Sequence, residues 1–395
     1  MLEVFLLSPW ERVIRELQHE EPDRVPWGGE GVSRPTADVI LGRPALTGMG
    51  GQHRVIELQA RGRHAEARAR MEADIYDLAN KLKIDLVQVV SLPPGEGQRP
   101  RILSNQEWTH DGRKNLRTVD GNLLTIEVEP GSGKRIKHGM DELEHLVTGI
   151  EDGVHEAESK ASEVSSDLSQ LIRNIKDHLR AAVFYPVWNC FLTHPDWLPT
   201  FLRAFHTRPD LISRYERAQC RKAIAAGKAG IDAGADVVGI GGDLAYRKGP
   251  MISPDKYHRY ILPYMKRESE AFHRKGAFSI IASDGNLMPI SQDYFIGSKV
   301  DAVREIEPGP MDRAVVKELY GDRVCLNGNV DCGRTLGLLS PGDAAKETRD
   351  VIRLWAPGGG HIISSSNTIS PNVRPENFLA MWKAIFRYGD YSNIR

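Results

Sequence analysis

From residue 181 to the end, one pattern recurs: a short apolar, β-leaning run, a turn, then an amphipathic helical stretch. The runs are "AAVFYPVWN", "ADVVGIGGD", "AFSIIASDGN", "VDAVREIEPG", "RVCLNGNVD" and "HIISSSN". Helical segments such as "SPDKYHRYILPYMKRESEAFHRKG", "MDRAVVKELYGD" and "SPGDAAKETRDVIRLWAPGGG" separate them. Strands alternating with helices make right-handed βαβ units, and these build a parallel sheet. With a further strand at 84–90, the count reaches about seven, one short of a closed barrel. The expected fold is therefore α/β, a (β/α)8 TIM barrel, with one strand not placed. An open doubly wound sheet is the other arrangement, but no GxGxxG follows a strand here.

Upstream, residues 8–20 read as a helix begun by Ser8 and Pro9, and 65–82 as a second. The segment 1–80 is expected to be an N-terminal extension of helix and loops. Residues 95–180 are expected to be an insertion. Its first part alternates polar and apolar residues around Asp-Gly pairs, the signal of antiparallel hairpins, and its second part is polar and helical. The whole of 1–395 is expected to be one domain.

Composition excludes several functions. The net charge of −1 over 395 residues gives no electrostatic footprint for nucleic acid. No run of eighteen apolar residues is present, so no membrane span is expected, and the N-terminus lacks the marks of a signal peptide. The cysteines Cys190, Cys220, Cys325 and Cys332 have neither CxxC nor disulfide-framework spacing, which suits a cytoplasmic protein with free thiols. Cys332, beside Asp331, is the one placed to line a site.

In a barrel, the C-terminal ends of the strands meet at one mouth. Asp243, Asp284, Glu307 and Asp331 end four successive runs here, and Ser364, Ser365, Ser366 and Asn367 end a fifth. Carboxylates sharing a dry site repel, so such a ring implies a metal ion, a cationic substrate or a general acid with a raised pKa. Taken singly, each is equally well a turn cap, since Asp before Gly or Asn is a standard turn signal. Asn286, Asn327 and Asn329 lie at the same ends. Among the histidines, only His194 lies just past a strand end. His19, His258 and His273 fall in expected helices and His361 opens a strand, so these read as structural.

Several stretches together resemble the uroporphyrinogen decarboxylase superfamily, which includes cobalamin-dependent methyltransferases. They are "ELQHEEPDRVP", "GADVVGIGGDLAYRKGPMISPDKYHRYILPYMKR", "SDGNLMPI", "MDRAVVKELYGDRVCLNGNVDCGRTL" and "APGGGHIISSSNTISPNVRPENFLAM". The resemblance implies a (β/α)8 barrel with its site at the C-terminal mouth. The Arg-Gln-Ala-Gly-Arg segment of true decarboxylases is absent, and "DRVPWGGEGVSRP" stands in its place. The zinc-binding His-x-Cys of the methyltransferases is replaced by Ala282 and Asp284, and the later cysteine by serine. The "SDGN…GNVDCG…SSSN" pattern is similar to a branch that demethylates small methylated compounds, including aryl methyl ethers, and passes the methyl group to a corrinoid protein.

That resemblance implies Asp284, Glu307 and Asp243 as catalytic residues. Trp188, Asn286, Tyr246, Asn329, Asp331 and Ser365 would contact substrate. Asp284 and Glu307 would hold a divalent metal such as zinc, if one is bound. The implied partners are a small-molecule methyl donor, a corrinoid (cobalamin) protein and, for assembly, a second copy of the chain. Arg247 reads as surface charge. The alternatives are a carboxy-lyase and a non-catalytic barrel, the latter suggested by Ala282.

Overall fold

The computed structural model describes residues 7–104, 106–110, 113–117, 123–126, 138–188 and 196–394. In chain order the strands are β1 (Leu86–Gln88), β2 (Arg101–Ile102), β3 (Glu107–His110), β4 (Arg113–Arg117), β5 (Leu123–Ile126), β6 (Ala182–Pro186), β7 (Val237–Gly241), β8 (Ala245–Tyr246), β9 (Gly249–Pro250), β10 (Phe278–Ala282), β11 (Ala302–Arg304), β12 (Cys325–Asn327) and β13 (His361–Ile362). Seven of them form one sheet in the order β1-β6-β7-β10-β11-β12-β13. Every pairing in it is parallel, with Leu86 opposite Ala182, Phe184 opposite Val237, Ile280 opposite Gly239 and Ala302 opposite Cys325.

The eighth stave is residues 26–29, "PWGG". Ile363 N–H donates to Pro26 O at 2.9 Å and Gly28 N–H to Ile363 O at 3.2 Å on one side. On the other, Gly29 N–H donates to Leu86 O at 2.7 Å and Asp85 N–H to Trp27 O at 2.9 Å. Both sets are parallel bridges, so the sheet closes and the open-sheet alternative falls away. Gly28 has φ +134°, and a Cβ there would stand 2.4 Å from Leu86 O. Only glycine lets two backbones approach so closely at that angle.

Asp85 locks this seam. Its carboxylate accepts two hydrogen bonds from Arg24 at 2.8 Å, one from Trp27 N–H at 3.0 Å and one from Arg12 at 3.3 Å. Arg12 lies on α1 (Pro9–Leu17), whose N-terminus carries a capping box between Ser8 and Glu11. α1 plugs the bottom of the barrel. Val13 and Leu17 pack with the lumen-facing Leu86, Ala182, Phe184, Val237, Ile280, Ala302, Cys325 and Ile362. Glu16 of α1 accepts His361 N–H at the foot of β13 (2.8 Å) and the Tyr391 hydroxyl (2.6 Å). Burial raises the Glu16 pKa to about 8.

Helices Pro209–Asp232, Leu262–His273, Arg313–Tyr320, Pro341–Trp355 and Pro375–Tyr388 surround the strands. β2 to β5 form a separate antiparallel sheet at the expected hairpins. The helices Met140–Asp152 and Val154–Ala161 lie against Pro209–Asp232, joined by the ion pairs Arg214–Glu151 and Arg221–Glu158. Among the described residues no helix is long and apolar enough to cross a membrane.

Candidate active site

Alternation along the strands carries three layers up the lumen. The lowest is apolar, as above. The second contains Arg304 at the end of β11 and Asn327 at the end of β12, 3% and 0% exposed. Asn327 Nδ2 donates to Gly28 O, Ile362 O and Ser364 Oγ at 3.1, 3.0 and 3.2 Å, tying the closing stave to β12 and β13. The Arg304 guanidinium lies 5.5 Å from the centre of the Phe184 ring and pairs with Glu305 at 3.0 Å. Among the described residues its Nε has no hydrogen-bond partner.

Above these, the strand ends carry the carboxylates. Asp284 follows β10, and Ser283 Oγ accepts Leu244 N–H at 2.9 Å, fixing the β10 end against the β7 end. The Asp284 carboxylate accepts Asn367 Nδ2 at 2.7 Å. Burial first, then the neighbouring charge of Glu305, raise its pKa to about 7, with smaller contributions from Asp243 and Glu307. Asp243, at the solvent-reached rim, accepts the Asp284 backbone N–H, and its pKa is raised by desolvation. Glu305 has its pKa raised by burial, opposed by Arg304. Its backbone sits at φ +61°, a sparsely populated region for a non-glycine residue.

The mouth opens as a cavity of about 630 Å³ whose wall includes Arg247, Asp284, Glu307, Asp331, Cys332 and Asn367. A larger cavity of about 830 Å³ lies near the opposite face, beside the Arg12–Asp23 and Arg24–Asp85 pairs. Its Arg12, Asp23 and Arg24 are already paired in the barrel seam, whereas the mouth gathers the strand-end carboxylates.

Of the residues expected at the site, the cavity wall brings together Asp284, Glu307 and Asp331, with Asp243 close enough to repel Asp284. Glu307 is not free to work alone: Arg247 holds Oε1 at 2.5 Å, and Gly285 N–H donates to Oε2 at 3.1 Å. Arg247 is exposed, as expected of a surface charge, and is the rim partner of Glu307. Asp331 Oδ1 caps its own turn through Gly333 and Arg334 N–H, at 2.9 and 2.8 Å. Asn286 Oδ1 likewise accepts Met288 N–H at 3.0 Å.

Asn329 lies in the framework. It is buried, donates to Ile306 O at 2.8 Å and accepts from Arg313 Nε at 2.8 Å. Ser365 is also buried and faces Glu30. Trp188 and Tyr246 are exposed, Trp188 edge-on to Phe184 at 5.9 Å and Tyr246 on the β8–β9 hairpin. Cys332 does line the cavity, and burial raises its thiol pKa to about 11. His361 is fully buried, bonded to Gly328 O at 2.9 Å, with its pKa pushed down to about 3 by desolvation. His258 and His273 face Asp293 and Asp301, and His19 lies two residues beyond α1. His194 and Cys190 lie outside the described residues.

Three residues of the site were not singled out from sequence: Glu30, Arg304 and Glu305. β11 stops at Arg304, two residues earlier than "AVREI" suggested, so Glu305 is the strand-end carboxylate and Glu307 the rim one. As for a metal, among the described residues no group of three or more His, Cys, Asp and Glu side chains is gathered to hold one. Asp284 and Glu307 supply two hard oxygen donors without the imidazole and thiolates of a soft zinc site, and Glu307 is already engaged. The donor set does not fit zinc.

Residues 198–388 match the family model described as Uroporphyrinogen decarboxylase (URO-D). The uroporphyrinogen decarboxylase of Coxiella burnetii (strain Dugway 5J108-111) is 26% identical over 205 residues, which is 50% of this chain and 54% of that one. That of Aromatoleum aromaticum is 28% identical over 175 residues, 43% of this chain and 46% of that one. The chain thus spans about half the length of the curated relatives it matches. Among solved structures, a methyltransferase from Methanosarcina mazei superposes with a TM-score of 0.61 at 15% identity, over 97% of this chain and 99% of that one, a likeness of fold. Residues 198–388 thus carry the likeness to the uroporphyrinogen decarboxylase (URO-D) family, and the chain as a whole shares its fold with the Methanosarcina mazei methyltransferase.

Proposed function

We propose that this chain is a methyltransferase that demethylates a small methylated compound, an aryl methyl ether, and passes the methyl group to a partner corrinoid protein. The observation that carries the proposal is Asp284: a carboxyl group in the wall of the mouth cavity with a pKa raised to about 7. At neutral pH such a group is substantially protonated and can give its proton away. A phenolate is a poor leaving group unless its oxygen is neutralised. As the bond between methyl carbon and oxygen breaks, the Asp284 proton passes to that oxygen. The methyl group leaves towards the mouth, and Asp284 remains as a carboxylate until solvent reprotonates it. The corrinoid, carried by its own protein, supplies the nucleophile that accepts the methyl group.

The rest of the mouth supports this reading. Asn367 orients the Asp284 carboxyl, and Arg247 neutralises Glu307 so that its charge is balanced at the rim. The exposed rings of Trp188 and Tyr246 offer apolar faces to an aromatic substrate.

The test is a panel of methoxylated aromatics incubated with a reduced corrinoid protein. Methyl transfer is expected with at least one, and Asp284→Asn is expected to abolish it while circular dichroism stays unchanged. The rate should fall as pH rises through about 7, because the acid form of Asp284 is the active one. Absence of transfer across the panel, or full activity in the variant, overturns the proposal. A second reading is a carboxy-lyase. It is favoured by the names of the curated relatives and by the buried Arg304, whose unpartnered Nε suits a substrate carboxylate. Release of CO2 from candidate acids, without methyl transfer, would select it.

A further inference from the structure

Glu30 directly follows the closing stave and is 4% exposed. Its carboxyl group receives the backbone N–H of Ser365 at 3.1 to 3.2 Å and contacts the Ser365 hydroxyl through Oε2. That same hydroxyl contacts the backbone oxygen of Asn367. Ser365 Oγ therefore stands between two oxygens, and a hydroxyl has one proton to give. The Asn367 carbonyl has none. If Glu30 were ionised, one of the two contacts would set lone pair against lone pair. Both become hydrogen bonds in one arrangement: Glu30 Oε2–H donates to Ser365 Oγ, and Ser365 Oγ–H donates to Asn367 O.

We propose that Glu30 is held as a neutral carboxylic acid and that its proton positions Asn367, and through it Asp284. Asn367 is fixed at three points. Its carbonyl accepts the serine hydroxyl, its Oδ1 accepts Thr368 N–H at 2.6 Å, and its Nδ2 donates to Asp284 at 2.7 Å. Glu30 is thus a positioning residue, touching no cavity wall itself. The charged and titratable groups that face it are Arg304 and Glu305, with Cys332 from the β12 side. Burial supports the assignment by pushing the carboxyl to about 7, against the Ser365 bonds and Arg304. The inference rests on where Asp284 stands and not on which reaction it serves, so it survives or fails independently of the methyl-transfer test.

The test uses the full chain and two readouts. The infrared carbonyl stretch of protonated carboxylic acids is recorded at about pH 6 for wild type and for Glu30→Gln. Glutamine keeps the shape and can donate to Ser365 in the same way. One neutral-acid band is expected to vanish in the variant, distinct from the band removed by Asp284→Asn. Crystal structures of Glu30→Gln and Glu30→Ala are then compared. The Asn367–Asp284 bond is expected to persist in the first and to be lost in the second. Should Glu30→Ala not fold, Ser365→Ala removes the same link and is expected to shift the Glu30 band and release Asn367. An unchanged infrared spectrum in Glu30→Gln overturns the neutral acid. An intact Asn367–Asp284 bond without Glu30 or without the serine hydroxyl overturns the positioning role.

Discussion

The carboxyl of Asp284 is held at an energetic disadvantage, and replacing it should make the protein more stable, by an amount that depends on pH. A carboxylic acid whose pKa is raised on folding costs nothing while both states are protonated. The cost grows as pH climbs from the unfolded value to the folded one, and above that it is constant. For Asp284 the rise is from 3.8 to about 7, and at about 1.4 kcal/mol per pH unit it converts to about 4 kcal/mol at full ionisation. At pH 5 only about 1.5 kcal/mol of this has accrued, by the same conversion. Asp284→Asn keeps the side-chain shape, leaves Asn367 an amide oxygen to donate to, and removes the ionisation. Guanidinium denaturation of wild type and variant at pH 5 and pH 8 should therefore show the variant more stable at both. Its advantage should widen by about 2.5 kcal/mol between them, at constant m-value. A variant less stable than wild type at pH 8, or an advantage that does not change with pH, would refute the idea that mutual repulsion and burial load this carboxyl. Stability gained where activity is lost is the expected sign of a functional group held in an unfavourable setting.

Further outcomes concern the barrel seam. Asp85→Ala strands Arg12 and Arg24 beside a buried vacancy and frees Trp27 N–H, and should cost about 3–5 kcal/mol in a urea melt. Gly28→Ala drives a Cβ into Leu86 O and should lower stability by about 3 kcal/mol or more, as read by thermal denaturation. Gly42→Ala is the control. It too has a positive φ, +69°, but open space around it, so its cost should stay near about 1 kcal/mol.

The parallel strands from β6 to β13 were legible because each is buried on both faces and so reads as a continuous apolar run between turn signals. The eighth stave was not, for a related reason. Its job is to bring backbone close to backbone at the seam, and that demands glycine where a strand normally shows β-branched residues. Missing it also hid Glu30. Had "PWGG" been placed as a strand, the rule that picked out Asp284 would have picked out Glu30, its next residue. Glu305 was missed through a boundary error of two residues, since the break at φ +61° ends β11 before the apolar pattern does. Arg304 escaped notice because an arginine inside an apolar run looks like a surface position, and only the closed lumen shows that it points inward. The carboxylates Asp331 and Glu307 were found, but their hydrogen-bond partners, which decide their roles, are not encoded in any local pattern.

Why, then, does the mouth concentrate on Asp284? Six acidic side chains stand in or near it, and five are already answered to some degree. Glu307 is paired with Arg247, Glu305 is paired with Arg304, and Asp331 caps its turn. Glu30 keeps its own proton by the hydrogen-bond count around Ser365. Asp284 alone faces the cavity with one neutral donor, Asn367, while Asp243 beside it has a backbone N–H and the freedom of the rim. Among the carboxylates that reach the cavity, repulsion is relieved most effectively by protonating the member with no cationic partner and the fewest hydrogen-bond donors. That member is Asp284. The arrangement thus sorts a crowd of carboxylates into structural ions and two acids, Glu30 buried behind the wall and Asp284 facing the cavity, and it does so with arginines and a single asparagine.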